Sequence, residues 1–357
     1  MGQIAGPARS WPLLERALEE TSSVGRGRWR RLVPWRSPID PDAAFEPGVY
    51  VFTFHSVIDL ADAEPWERAY DKVAISTDAF RSALDFVATR FHRLRLTEAL
   101  ELEGRIVDRP YAVVTFDDGY ANTVTKAAPI AEEFGFQPTL FVNGAFAEGG
   151  VYYRVLVSLL TAQGHASVLC EELRARVPSV AWSAEPATLF DQTKDVYVRG
   201  AVEEASDAAF RKTLGDPAAL GVHVTTDDVR SLMDRGWEIA NHTFAHDVLS
   251  DLSIDAVGDT LERNERYWAG HGVSLLPCVA YPNGSAKHVG PGVVGYLEQR
   301  RDLHGMFCSG GVNQRAQRTE WLRMPVSTPF AASLSRAIAG EVARTHQAVD
   351  VVERAAS

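Results

Sequence analysis

Two adjacent carboxylates, Asp117 and Asp118, follow the apolar run 111–116 (YAVVTF) and precede Gly119. A carboxylate pair at the C-terminal end of a strand can divide labour, one group holding a cation that keeps both ionised while the other accepts a proton. Asp-Gly suits a turn or a helix cap equally well, so the pair alone fits either role. A second group follows the short apolar run 237–240 (WEIA): Asn241, His242, Thr243, Phe244, Ala245, His246. Histidines four apart at the start of a helix share a face and can ligate one divalent metal. Histidines so spaced are more often surface or core residues. Here they follow a strand end, and Asp118 can supply a third ligand, leaving one position open for water as in catalytic zinc sites.

These residues need elements to position them. The segment 48–55 (GVYVFTFH) is β-branched and aromatic and is expected to be a buried strand ending in His55. Helical spacing over 77–89 leads to the strand 111–116. A helix over 121–134, interrupted early by Pro129, then leads to a strand over 139–143. The same rhythm returns with helices over 225–235, 252–271 and 290–301 and strands over 237–240, 277–281, 306–309 and 321–325. Strand and helix alternating in this way call for parallel pairing with helices over the sheet, as an open doubly wound sheet or a barrel.

The stretch 149–223 breaks the rhythm with helical patterns at 151–160, 171–177 and 202–214, and is expected to be an inserted helical subdomain. Such an excursion covers an active-site mouth or offers a dimer surface. Tyr152, Tyr153, Arg154 and Trp182 lie in it without forming a ligand pattern. The main domain spans 46–330, flanked by an N-terminal arm, 1–45, and a C-terminal helix, 331–357. The arm carries Arg26, Arg28, Trp29, Arg30, Arg31, Trp35 and Arg36, expected to pack on the surface with solvated arginines, a membrane or lipid-linked substrate contact being the alternative.

Composition excludes several classes. With 357 residues, 46% hydrophobic and 23% charged, the chain can bury a substantial core. A net charge of −11 opposes attraction to nucleic acid. Cys170, Cys278 and Cys308 are odd in number and widely spaced, which argues against a disulfide framework or thiolate zinc site; they are expected to be small buried hydrophobes. Neither a signal-peptide pattern nor an apolar run of about 18 residues occurs, so a soluble cytoplasmic enzyme is expected. Gly6 stands where a myristoylation pattern needs Ser or Thr.

Three motifs in order, TFDDG at 115–119, HTFAH at 242–246 and AYPNG at 280–284, resemble the polysaccharide deacetylase family, the NodB-homology or family 4 carbohydrate esterases. The resemblance covers about 50–145 and 225–326. It implies a distorted (β/α) barrel and metal-dependent removal of acetyl groups from sugars. Asp118, His242 and His246 would hold the metal, zinc first, with cobalt, nickel or manganese as alternatives, and Asp117 would be the general base. The backbone N–H of Asn283 would face the oxyanion. Thr243 would fix the loop or touch substrate, and Phe244 would be core.

The family's third motif often begins with an arginine that orients the base. Here Ala280 stands there, resembling the exopolysaccharide-type branch, and Arg323 is the candidate to supply that charge from another strand. The family's late leucine-x-histidine is not recognisable. His55 is the candidate general acid, because FTFH resembles the strand end that opens this branch; His288 and His304 are weaker alternatives. The expected substrate is an acetylated sugar or glycan, nucleotide- and lipid-linked sugars included, with an N-acetyl group first. The alternatives are an amide hydrolase of the same fold with a non-sugar substrate, and a catalytically weak metal-containing binding protein.

Overall fold

The structure, a computed structural model, describes residues 45–326 apart from positions 60, 196, 197, 199, 316 and 317. The expected arm, except its last residue, and the expected C-terminal helix lie outside the described residues. Ten strands are described: β1 Gly48–Phe54, β2 Ser56–Ile58, β3 Ala74–Ser76, β4 His92–Arg93, β5 Pro110–Phe116, β6 Thr139–Val142, β7 Glu238–Asn241, β8 Leu276–Ala280, β9 His304–Phe307 and β10 Trp321–Pro325. All pairings between named strands are parallel. The order β1-β10-β9-β8-β7-β6-β5 returns to β1 through seven paired residues, from Gly48↔Pro110 to Phe54↔Phe116. The sheet therefore closes into a seven-stranded barrel, with β4 attached to the start of β5 and β2–β3 forming a separate small sheet. Of the two architectures that alternation permits, the barrel is the one adopted.

Strand periodicity explains the layers. On β1, Val49 and Val51 join Val113, Phe141, Ala240, Ala280, Met306 and Trp321 in one buried cluster. The alternate residues Tyr50, Phe52 and Phe54 pack instead with Phe80, Leu84 and Val87 of the helix Thr77–Arg90. That helix starts where Ser76 accepts the N–H of Ala79, and the helix Thr226–Asp234 starts at a Thr225–Asp228 capping box. The segment expected to be one helix over 121–134 is a π-helix, Thr123–Ala127, continuing into an α-helix, Ala128–Glu133, that carries Pro129 in its first turn.

Between β6 and β7 four longer helices intervene: Tyr153–Ala162, Ala166–Arg176, Pro186–Asp195 and Ala201–Thr213. They bury Leu156, Leu160, Leu169, Leu173, Leu189 and Phe210 together, and the same cluster reaches Trp66, Tyr70 and Tyr120 beside the C-terminal ends of the barrel strands. Trp182 belongs to this core, its indole N–H donating to the Val177 carbonyl at 3.1 Å. No helix among the described residues is long and apolar enough to cross a membrane.

Candidate metal and catalytic centre

Parallel strands place the residues that follow them at one end of the barrel, where α/β enzymes build their sites. His55 follows β1, Asp117 and Asp118 follow β5, His242 follows β7 and Cys308 follows β9. These residues, with Asn283, His246, Tyr70, Val73, Tyr152 and Tyr281, line one cavity of about 100 Å³.

Asp118, His242 and His246 are all buried, and their donor atoms lie within 4.8 Å of one another. Asp118 Oδ1 is 3.2 Å from His242 Nε2 and 3.4 Å from His246 Nε2, yet it has no hydrogen-bond partner. A buried carboxylate oxygen turned towards two ring nitrogens calls for a cation between them. The separations fit a tetrahedral ion, since bonds of about 2.0–2.1 Å give ligand-to-ligand edges of about 3.3–3.4 Å. His242 Nδ1 lies 2.8 Å from the Ala280 carbonyl, an acceptor that fixes the proton on Nδ1 and leaves Nε2 bare for a metal. Burial pulls His246 down to about 4, against the pull of Asp118, so its ring is neutral and ready to ligate.

The histidines are not on a helix, which corrects the reading from their spacing. Residues 242–248 form an irregular loop in which Thr243 and His246 have φ values of 64° and 56°. These two left-handed residues turn both rings towards Asp118. The loop is held by its surroundings: Asn143 Nδ2 donates to the carbonyls of His242 and Thr243 at 2.6 and 3.0 Å, and Thr243 N–H donates to Asn241 Oδ1 at 2.9 Å. Thr243 Oγ1 accepts the Asp247 N–H at 2.9 Å, which fixes the loop as expected. Phe244 is buried as expected, with the Arg263 guanidinium 3.7 Å from its ring centre.

Asp117 is clamped by Arg323, whose Nη1 and Nη2 donate to Oδ1 and Oδ2 at 2.7 and 3.0 Å. Arg323 is fully buried, with the Phe141 ring 5.1 Å from its guanidinium carbon. Burial works against ionisation of Asp117, and the Arg323 charge, helped by His242 and His55, overcomes it, leaving the carboxyl below its ordinary value. β10 therefore brings to Asp117 a charge that β8, carrying Ala280, does not. His55 Nε2 lies 3.9 Å from Asp117 Oδ2, partly exposed at the cavity wall. His304 is at the opposite end of the barrel, paired with Glu103 at 2.8 Å, and takes no part in the site. His288 bonds Ser285 Oγ at 2.7 Å and does not line the cavity.

Asn283 has φ 58° and Gly284 φ 56°, and a Cβ on Gly284 would lie 2.3 Å from Cys308 Cβ and 2.5 Å from its N. Only glycine lets this turn close against β9, with Cys308 N–H donating to the Gly284 carbonyl at 2.8 Å. Cys170 and Cys278 are buried as expected, whereas Cys308 is partly exposed on the cavity wall. Burial pushes its thiol up to about 11, so it stays protonated at neutral pH.

Two positions carry no motif signal. His223 Nε2 accepts the Tyr152 N–H at 3.3 Å, which leaves Nδ1 to donate to the Asp118 carbonyl at 3.0 Å. Tyr152 in turn sets its ring 4.7 Å from that of His246. The pattern around these two residues in the sequence is that of ordinary core, and chain folding alone brings them to the loop that carries His242 and His246.

The sequence model of the polysaccharide deacetylase family matches residues 185–290, which include His242, His246 and Asn283. No curated protein matches the chain. Among solved structures, the Streptococcus pyogenes deacetylase PplD in complex with acetate is similar in fold, with 13% identity over 82% of this chain and 99% of that one and a TM-score of 0.54. IcaB from Ammonifex degensii gives 16% identity over 82% and 98%, with a TM-score of 0.51. A de-N-acetylase from Aggregatibacter actinomycetemcomitans gives 15% over 78% and 95%, with a TM-score of 0.50. At these identities the likeness is one of fold. Residues 185–290 thus match the polysaccharide deacetylase model, and the closed parallel (β/α) barrel is similar in fold to these deacetylase structures.

Proposed function

We propose that the protein is a metal-dependent carbohydrate deacetylase that removes an acetyl group, N-linked first, from a sugar or glycan. The observation that carries this reading is the buried Asp118–His242–His246 cluster beside a carboxylate, Asp117, held ionised by Arg323. The family match and the deacetylase titles of the solved structures of like fold support it.

Asp118, His242 and His246 would hold the ion, zinc first. When bound there, it supplies Lewis-acid polarisation of water and of the acetyl carbonyl. Asp117, a carboxylate throughout the neutral range, takes the proton of the attacking water as the new C–O bond forms. The backbone N–H of Asn283 donates towards the oxygen on which charge develops. The C–N bond then breaks, His55 giving a proton to the leaving nitrogen, and acetate and the free amine result. A cavity of about 100 Å³ suits an acetyl group and its water.

The test is acetate release from acetylated sugars by the wild type and by Asp117→Asn, with metal content measured on both. The reading predicts release by the wild type, and in Asp117→Asn a loss of about 10³-fold or more with the metal retained. Undiminished turnover in Asp117→Asn would remove the base assignment.

A further inference from the structure

The long helix Ile254–Gly270 buries Val257, Thr260, Leu261, Asn264 and Trp268 along one stripe. Thr260 and Asn264 are polar, and a polar side chain on a buried stripe needs partners across the interface. Asn264, fully buried, donates to the Val142 carbonyl at 2.8 Å and to Asn241 Oδ1 at 2.9 Å, and accepts the Gly144 N–H at 2.7 Å. Val142 and Asn241 end β6 and β7, so Asn264 fixes the strand ends beside which the loop carrying His242 and His246 begins.

Thr260 reaches the loop itself. A threonine within a helix commonly turns its hydroxyl back to the carbonyl four residues earlier. Thr89, Thr161 and Thr213 do so, donating to Asp85, Val157 and Ala209 at 2.8 Å each. Thr260 instead sends its one proton off its helix: Oγ1 donates to Asp247 Oδ2 and accepts the Phe244 N–H at 3.1 Å. A single hydroxyl thus joins the residues on either side of Ala245 and His246. Phe244 is held again where its carbonyl accepts the Ala145 N–H at 2.9 Å, and Asp247 where its N–H donates to Thr243 Oγ1 at 2.9 Å.

His246, between these anchors, has φ 56°, a conformation that a residue with a Cβ keeps only under constraint. The Ala280 carbonyl orients His242 through Nδ1. His246 has no such acceptor among the described residues, so the direction of its ring depends on the backbone that carries it. Resting on the metal-site reading, we propose that Thr260 is a positioning residue for His246. Its hydroxyl clamps Phe244 to Asp247 and so holds the left-handed turn that aims the imidazole at Asp118. Without it the Phe244 N–H is left buried and unpaired, and the turn relaxes.

The test compares the wild type with Thr260→Val, which keeps the shape and removes both bonds, and Thr260→Ser, which keeps the hydroxyl. Zinc affinity is measured by competition with a chelator, and the visible absorption of the cobalt-loaded proteins reports the ligand set. Thermal unfolding of the metal-free proteins shows each to be folded at the assay temperature. Zinc affinity is expected to weaken about 10-fold in Thr260→Val, with the cobalt spectrum altered as His246 withdraws, and Thr260→Ser to match the wild type in both. Should Thr260→Val not fold, Thr260→Ala, which also lacks the hydroxyl, takes its place with the same expectation. Unchanged affinity or an unchanged cobalt spectrum in the variant without the hydroxyl overturns the proposal, as does an equal loss in Thr260→Ser. A wild type that binds neither zinc nor cobalt removes the metal-site reading, and the positioning role falls with it.

Discussion

Asp117 and Arg323 stand 206 positions apart and meet as a bidentate pair inside the barrel. The arginine decides the state of the carboxyl, because burial alone would raise its pKa. The depressed carboxyl stabilises the fold above the ordinary aspartate value, and that contribution is lost as pH falls through the lower folded value. In Arg323→Met the burial effect is left unopposed by its main counter-charge. The acid limb of the kcat/KM profile is then expected to move to higher pH, with kcat at neutral pH down about 100-fold. Arg323→Lys is not expected to rescue it, since one ammonium cannot reproduce the fork. A pH profile that stays in place with kcat intact would reduce Arg323 to a packing role. The aspartates and histidines are legible in the sequence because each pair sits in a local motif. Arg323 is legible only as a charge within a strand pattern, its partner being fixed by the closure of β10 onto β1.

At the scale of elements, the site is made of strand-end turns in uncommon backbone conformations. Asp118, Thr243, His246 and Asn283 are the non-glycine residues with positive φ among the described residues, and all belong to the three motifs. Left-handed backbone costs a non-glycine residue about 1–2 kcal/mol, so the surrounding hydrogen bonds must enforce it. Gly284→Ala tests this directly. Its Cβ would collide with the Cys308 backbone, so the Asn283 N–H must shift. Acetate release is expected to fall about 10- to 100-fold with metal content unchanged, as for loss of an oxyanion donor. Full activity would show that this N–H does not serve the reaction. The strands and their order follow from hydrophobic periodicity, with ends shifted by a few residues. The helix expected at His242 fails because spacing of four has two geometrical solutions, and the Asn143, Asn241 and Asp247 bonds that select the loop come from other segments or from side chains without a local pattern.

For the molecule as a whole, the barrel supplies the candidate catalytic residues and the helices between β6 and β7 roof them. His223 ties the two together, bonding both Tyr152 and the Asp118 carbonyl. His223→Phe keeps an aromatic ring against Phe146 and Tyr120 but removes both hydrogen bonds. Metal affinity, measured by competition with a chelator, is expected to weaken about 10-fold, the usual cost of a lost bond behind a ligand. Unchanged affinity would confine His223 to packing. No local pattern announces this tie, because it exists only once the chain has left the barrel at 149 and returned at 223. The measurement that tests the account most directly is the metal content of purified wild type beside Asp118→Ala and His246→Ala, by elemental mass spectrometry. About one divalent ion per chain in the wild type, lost in both variants, is the predicted result. A wild type that holds no metal and takes up none on titration would contradict the hydrolase mechanism at its centre.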